Sequence, residues 1–181
     1  YGGITIGDPP ADMDPELLAE RQLPMFIAMD RPEHTGQRRT VAPAFTPAKM
    51  AEMEAEIRMR TATVLDSLPF GEQFDWVDTV SIELTTGMLA ILFGFPWEDR
   101  RLLTFWSDWA GDVEISMARE LNDERFGILQ EMAHYFGRLW MERMNAEPTP
   151  DLISMMIHSE AMNHMSPQEF MGNLILLIVG G

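Results

Sequence analysis

Two side chains with anion-binding chemistry lie four residues apart near the start of a predicted helix. His34 and Arg38 belong to the stretch DRPEHTGQRRTVAPAFTP, residues 30–47, which also contains Arg31 and Arg39. Residues four apart share one face of an α-helix, about 6 Å apart along its axis. Both side chains can donate charge-assisted hydrogen bonds, and a guanidinium can bind a carboxylate or phosphate through two parallel bonds. The spacing therefore makes this pair a candidate anion-binding site, to which the helix N-terminus adds its own attraction.

The same spacing also fits a less specific arrangement. A solvent-exposed helix face often carries such residues, with Arg38 paired to Glu33 or to another carboxylate. The other histidines, His134, His158 and His164, lack the partner four residues away and the carboxylate that a zinc-binding helix needs, so we expect ordinary surface or core positions. The sequence has no G-x-S-x-G nucleophile motif and no glycine-rich phosphate loop.

The composition narrows the class of molecule. The 181 residues are 46% hydrophobic, which predicts one packed domain with a substantial core. A net charge of -16 argues against nucleic-acid binding and against docking on anionic membranes. The sequence has no cysteine, so disulfides, zinc–thiolate sites and thiol catalysis are excluded within these residues. The first ten residues lack the basic start and apolar centre of a signal peptide, which favours a cytoplasmic location.

The elements that position His34 and Arg38 are predicted to be helices, with no strand or hairpin signal. Their own helix should begin at Pro32 and end before Pro43. A long helix should follow, with Thr46 as its N-cap. One apolar face of that helix is predicted from the spacing of Met50, Met53, Ile57, Val64 and Leu68.

Further helices are indicated on both sides of this region. A short helix should follow Asp14, and a helix buried on most sides should end at Gly94. Two amphipathic helices are expected on either side of a loop near Asn122. The next helix has Thr149 as its predicted N-cap, and the last one has Ser166 in a capping-box spacing with Glu169. The 16 methionines suit a pliable apolar interior, or alternatively a pocket for a flexible apolar ligand.

The last 12 residues, FMGNLILLIVGG, form an apolar run. The run is shorter than the roughly 20 residues that span a bilayer, so we expect no transmembrane segment. A helix that is apolar on all faces belongs in a core, and we expect its partners to lie in a C-terminal part beyond Gly181. The chain also starts at Tyr1, so it is interpreted as an internal piece of a longer protein. Gly180 and Gly181 either end the helix or allow a flat ligand to approach the backbone.

The stretch around His34 resembles the start of the C helix in bacterial cytochromes P450. That family has an Asp, a Pro, then H-x-x-x-R-R and soon F-T-P. The matching residues here are Asp30, Pro32, His34, Arg38, Arg39, Phe45, Thr46 and Pro47. The final NLILLIVGG is similar to the first half of the family's I helix, and the helices between fit the segment from C to I. The resemblance implies a mainly α, partial cytochrome P450 fold, with residues 1–181 as an incomplete single domain.

The resemblance also implies a cofactor and site residues. The anion would be the two propionates of haem (heme, iron-protoporphyrin), bonded by His34 and Arg38. Gly180 and Gly181 would begin the oxygen-binding groove. The cysteine that ligates iron in the family is absent here, as are the I-helix acid and threonine, so these residues provide no metal ligand and should be inactive alone.

A closer resemblance concerns LPMFIAMD and VLDSLPFGEQFDWVDTVSIELTT, which are similar to soluble bacterial alkane and fatty-acid terminal hydroxylases. It implies hydroxylation of alkanes or medium-chain fatty acids with O2 and with electrons from a ferredoxin and its reductase. The segment PELLAERQ departs from that pattern and looks like an insertion beside the substrate channel. Two alternatives remain: a non-enzymatic α-helical lipid- or effector-binding domain, in which Arg38 pairs with a lipid carboxylate, and an acidic helical scaffold for a partner protein.

Overall fold

The computed structural model describes residues 23–112, 115 and 118–180, and it contains no β-strand among them. Seven α-helices are described: α1 Glu33–Val41, α2 Pro47–Asp66, α3 Glu83–Phe93, α4 Arg101–Gly111, α5 Asn122–Arg143, α6 Leu152–Ile157 and α7 Pro167–Val179. Short 3-10 helices cover Phe26–Ala28, Ala42–Phe45, Trp97–Asp99 and Arg119–Leu121, and a π-helical segment, Val77–Ile82, leads into α3. The prediction of a mainly α chain is confirmed. No helix among the described residues is long and apolar enough to cross a membrane.

Helix ends that depend on local chemistry are as predicted. The Thr46 hydroxyl accepts a hydrogen bond from the Lys49 backbone N–H at 3.3 Å and caps α2. The Ser166 hydroxyl accepts from the Glu169 N–H at 3.1 Å and caps α7. Gly94 closes α3 in the left-handed conformation, with φ 58°. The short helix expected after Asp14 and the PELLAERQ segment lie outside the described residues.

The cap of α6 was predicted wrongly. Asp151, not Thr149, is the N-cap, because its carboxylate accepts from the Ser154 N–H at 2.9 Å. The Thr149 hydroxyl instead donates to the other oxygen of the same carboxylate. Arg143 also reaches Asp151, at 3.3 Å. The cap therefore lies two residues later than predicted, and Arg143 on α5 contacts its carboxylate.

Two predicted apolar faces are less buried than expected. On α2, Met53 and Val64 are buried, whereas Met50 and Ile57 are each 39% exposed. The segment before α3, predicted to be buried on most sides, exposes both Trp76 and Val77. Burial begins at Val80, within the π-helical segment, which also contacts α2.

The expectation that α7 finds its partners only beyond Gly181 is wrong. The helix packs against α4 and α5, and Leu174 is completely buried. Trp140 of α5 meets Phe170 edge to face, with ring centroids 4.8 Å apart. In the apolar run up to Val179, that last residue alone is classed as exposed, at 46%. The described helices therefore already cover most of this apolar run.

An aromatic cluster joins α4 to α5 and contains the one tyrosine that the structure describes. The Tyr135 ring stacks on Phe95 with centroids 4.9 Å apart, and it meets Trp106 at 5.5 Å. Its hydroxyl donates to the Asp99 carboxylate. Burial and this hydrogen bond both favour the neutral phenol, and they raise the pKa of Tyr135 to about 12.

This pKa gives a prediction for stability against pH. Because the folded chain holds the phenolic proton more strongly than the unfolded chain, whose pKa is 10.0, the group stabilises the folded state fully below pH 10. We expect the stability advantage of the wild type over Tyr135→Phe to be constant up to that pH and to disappear as pH approaches 12. Denaturant unfolding of both proteins across pH measures it. An advantage already declining near neutrality would contradict the assignment.

Candidate functional site

Helix α1 presents its two predicted site residues on one side. Gln37 and Val41 form its buried face, His34 is half-buried, and Arg38 and Arg39 are exposed. Around an α-helix, His34 and Arg38 differ by about 40°, while Arg39 lies about a further 100° away and opposite the buried face. His34 and Arg38 thus line one edge where α1 meets the rest of the molecule, and Arg39 points elsewhere.

The arginines around α1 differ from most others in having no carboxylate partner among the residues that the structure describes. The side chains of Arg31, Arg38 and Arg39 make no ion pair or hydrogen bond with any residue that the structure describes. Five arginines elsewhere do pair with carboxylates: Arg58, Arg60, Arg100, Arg101 and Arg143. The alternative of an ion pair from Arg38 to Glu33 or another carboxylate is therefore absent from the described part of the chain.

His34 is placed by the segment in front of α1. Its imidazole lies beside the ring of Phe26, with centroids 6.4 Å apart and planes tilted by 43°. Phe26 is itself buried and begins the first 3-10 helix. Between the two, the Arg31–Pro32 peptide bond is cis. The imidazole nitrogens of His34 make no hydrogen bond to a residue that the structure describes.

This donor set suits a dicarboxylate cofactor. A guanidinium with no carboxylate partner and an imidazole one helical turn away can each donate to a separate carboxylate. The chain carries 29 acidic side chains against 13 basic ones, so it is notable that Arg38 has no acidic partner in the described part of the chain. The residues present therefore fit the two propionates that the sequence resemblance implies.

Gly180 forms the C-cap of α7. This position agrees with the first of its two interpretations, that the glycine ends the helix. Its φ of -86° is right-handed, and its N–H donates to the Leu176 carbonyl at 3.0 Å. A Cβ at this position would lie 2.8 Å from that same oxygen, so the backbone is more crowded than an ordinary side chain tolerates. Gly180 is exposed, and Gly181 lies outside the described residues.

Two of the other histidines contact groups close to them in the chain. His158 donates through Nδ1 to the Ser154 carbonyl at 2.9 Å, and His164 contacts the Asn163 side chain. Among residues 23–112, 115 and 118–180, no three His, Asp or Glu side chains cluster as a metal site would require.

Five methionines are buried: Met53, Met132, Met156, Met162 and Met171. A cavity of about 220 Å³ between α3, α4 and the end of α7 has no methionine in its lining. These five methionines fill the core, as the first interpretation expects.

Sequence reasoning missed two buried amides beside the site. Gln37 is 5% exposed and Asn173 is fully buried, and they hydrogen-bond each other between α1 and α7. A signal was present for one of them, because Asn173 interrupts an otherwise apolar run. Gln37 lies in a polar stretch and gave none.

The known proteins to which this chain is similar all belong to one family, although no family model matches the chain. The solved structure of cytochrome P450-153 from Novosphingobium aromaticivorans is 81% identical, with a TM-score of 0.89, and covers 100% of this chain and 43% of its own. That of CYP153D17 from Sphingomonas sp. PAMC 26605 is 62% identical, with a TM-score of 0.78, over 97% of this chain and 42% of its own.

A relative with lower sequence identity belongs to the same family. Linalool 8-monooxygenase of Pseudomonas putida is 29% identical over 157 residues, which are 86% of this chain and 38% of the relative. The chain spans less than half the length of the relatives that it matches.

Proposed function

Because this chain belongs to the cytochrome P450 family, we propose that it is part of a haem-dependent monooxygenase that hydroxylates alkanes or medium-chain fatty acids. One observation carries the cofactor assignment: His34 and Arg38 share one edge of α1, and Arg38 has no carboxylate partner in the described chain. O2 is the co-substrate, and a ferredoxin with its reductase supplies the electrons. The substrate class rests on the resemblance of the sequence to alkane and fatty-acid hydroxylases.

His34 and Arg38 would hold the cofactor by its propionates. Arg38 could donate two parallel hydrogen bonds to one carboxylate, and His34 could donate one bond to the other. Haem, when bound, supplies the chemistry of oxygen activation. The residues of this chain would bind and orient that group, and Gly180 at the end of α7 would border the space for oxygen.

Arg39 has a different proposed role. It is exposed, it makes no ion pair with a described residue, and it points away from the edge that His34 and Arg38 share. An exposed cation on a chain of net charge -16 is a local contact point for an acidic partner. We assign it to the surface that meets the ferredoxin.

Residues 1–181 would be an incomplete single domain of a cytoplasmic parent protein. They contain no cysteine, and therefore no thiolate to ligate the iron. Alone, the 181 residues should be inactive. In the parent, the residues after Gly181 should supply an acid followed by threonine, and a later loop should supply the cysteine.

The proposal is tested on the full-length parent, purified with haem. Its reduced carbon monoxide complex should show the red-shifted Soret band of a thiolate-ligated haem. Incubation with a ferredoxin, its reductase, reduced nicotinamide cofactor and O2 should convert n-alkanes or medium-chain fatty acids into alcohols. A protein that binds no haem but retains a fatty acid would support the lipid-binding alternative instead.

A further inference from the structure

Three polar contacts converge on Asn173, in the middle of the apolar helix α7. Its Oδ1 accepts a hydrogen bond from the Phe26 backbone N–H at 2.8 Å. Its Nδ2 donates to Gln37 Oε1 at 2.9 Å and approaches the Met165 sulfur at 3.2 Å. The side chain has no exposed surface, so each of these contacts replaces one with water. A buried amide is costly unless it is satisfied in this way.

Two of these partners lie on either side of His34. Gln37 follows it by three residues on α1, and Phe26 places its ring beside the imidazole, with centroids 6.4 Å apart. Gln37 extends the link, because its Nε2 donates to the Glu169 carboxylate in the first turn of α7. One asparagine on α7 thus contacts both segments that determine where His34 lies.

The backbone approaches closely at the same point. A Cβ on Gly172 would overlap the Pro24 carbonyl oxygen, so a side chain there would push away the chain segment that leads to Phe26. Gly172 and Asn173 together form the surface of α7 on which this segment rests. The fixed position of Phe26 therefore has a steric cause and a hydrogen-bonding cause.

We propose that Asn173 is a positioning residue, which holds His34 in place for the cofactor through Gln37 and Phe26. This inference rests on the proposed function, since it takes His34 to be a propionate donor. Asn173 itself lies in the core and is assigned no contact with the cofactor. Its effect is to link α1, which carries the donors, to α7, which leads to Gly180.

The experiment uses the full-length haem protein and measures the rate of haem transfer to apomyoglobin. Asn173→Leu removes the amide at similar volume and should raise the rate about fivefold, as expected for losing one or two buried hydrogen bonds. The matched control is Thr86→Val. Thr86 is also fully buried, but among the described residues its hydroxyl bonds only to the Ile82 and Glu83 carbonyls, one helical turn earlier on the same segment. Thr86→Val should lower the unfolding temperature without changing haem transfer.

A double-mutant cycle separates positioning from general stability. If Asn173 acts through His34, then Asn173→Leu should add little to haem loss once His34 is replaced by alanine. Its effect on the unfolding temperature should persist in that background. If Asn173→Leu does not fold, Gln37→Leu, which removes one arm of the link, is measured by the same criteria.

The outcomes distinguish the two proposals. Unchanged haem transfer in His34→Ala would overturn the donor assignment itself. Faster transfer in His34→Ala, together with no effect of Asn173→Leu, would overturn the positioning role alone. Fully multiplicative effects of His34→Ala and Asn173→Leu would also overturn it, because independent contributions mean that Asn173 does not act through His34.

Discussion

Replacing Arg38 by alanine in the full-length protein should accelerate haem loss about tenfold or more. The guanidinium keeps its charge at any working pH and can bond one propionate through two parallel hydrogen bonds. A charge-assisted bond that the bound cofactor shields from water contributes roughly 1.5–3 kcal/mol. A loss of about 1.4 kcal/mol corresponds to a tenfold change in an equilibrium, so losing this bond should weaken haem binding by about tenfold or more. Haem occupancy after purification and the rate of transfer to apomyoglobin measure it.

Arg39→Ala is the matched control for this experiment. Arg39 is the neighbouring residue, equally charged and also exposed, but it projects from a different side of α1. It should leave haem transfer close to the wild-type rate, and it should instead weaken the response to ferredoxin. Equal haem loss from Arg39→Ala and Arg38→Ala would mean that the wrong side of α1 has been assigned.

Two further substitutions test how much each donor contributes to binding the propionates. Arg38→Lys should recover only part of the haem affinity, because one ammonium cannot reproduce the planar, two-bond geometry of the guanidinium. His34→Ala should cost less than Arg38→Ala, because an imidazole offers one hydrogen bond to a carboxylate where the guanidinium offers two parallel ones. If neither His34→Ala nor Arg38→Ala changes haem retention, the cofactor assignment to this edge of α1 fails.

The features that sequence could predict are those whose chemistry is local. Thr46 and Ser166 cap their helices through an N–H only three residues away, and Gly94 ends α3 through its own backbone conformation. The His34 and Arg38 pair was recognised for the same reason, since a spacing of four residues on one helix fixes their relation. That they lie on one helix did not depend on the rest of the fold.

The features that sequence could not predict depend on distant partners. Arg143 on α5 reaches the Asp151 carboxylate that caps α6, and nothing in the sequence indicates that contact. The helices that pack against α7 are α4 and α5, which lie well before it in the chain. No pattern within the apolar run itself therefore revealed them. The link from Asn173 to Phe26 spans 147 positions. An isolated asparagine in an apolar run indicates a buried contact, but only the fold identifies the partner.

The end of α7 should control access to the reaction space without holding the cofactor. Replacing Gly180 by phenylalanine in the full-length protein should lower turnover by about a hundredfold, the scale on which misplaced reactants reduce rates. The ring would occupy space that the proposed function gives to oxygen and substrate. Haem content should stay near normal, because His34 and Arg38 belong to α1 and are unchanged.

Two matched variants separate the ring from the backbone effect. Gly180→Ala adds only the Cβ, which already lies 2.8 Å from the Leu176 carbonyl oxygen and must shift the last turn of α7. It should therefore reduce turnover less than Gly180→Phe, since it brings the backbone shift without the ring. Gly127→Phe places the same ring on α5, at an exposed glycine with no neighbouring atom within 4 Å of an added Cβ, and should leave turnover unchanged. Wild-type turnover in Gly180→Phe would remove Gly180 from the oxygen-binding groove. A loss of haem in parallel with activity would place this glycine at the cofactor itself, because blocked access alone leaves the propionate donors intact.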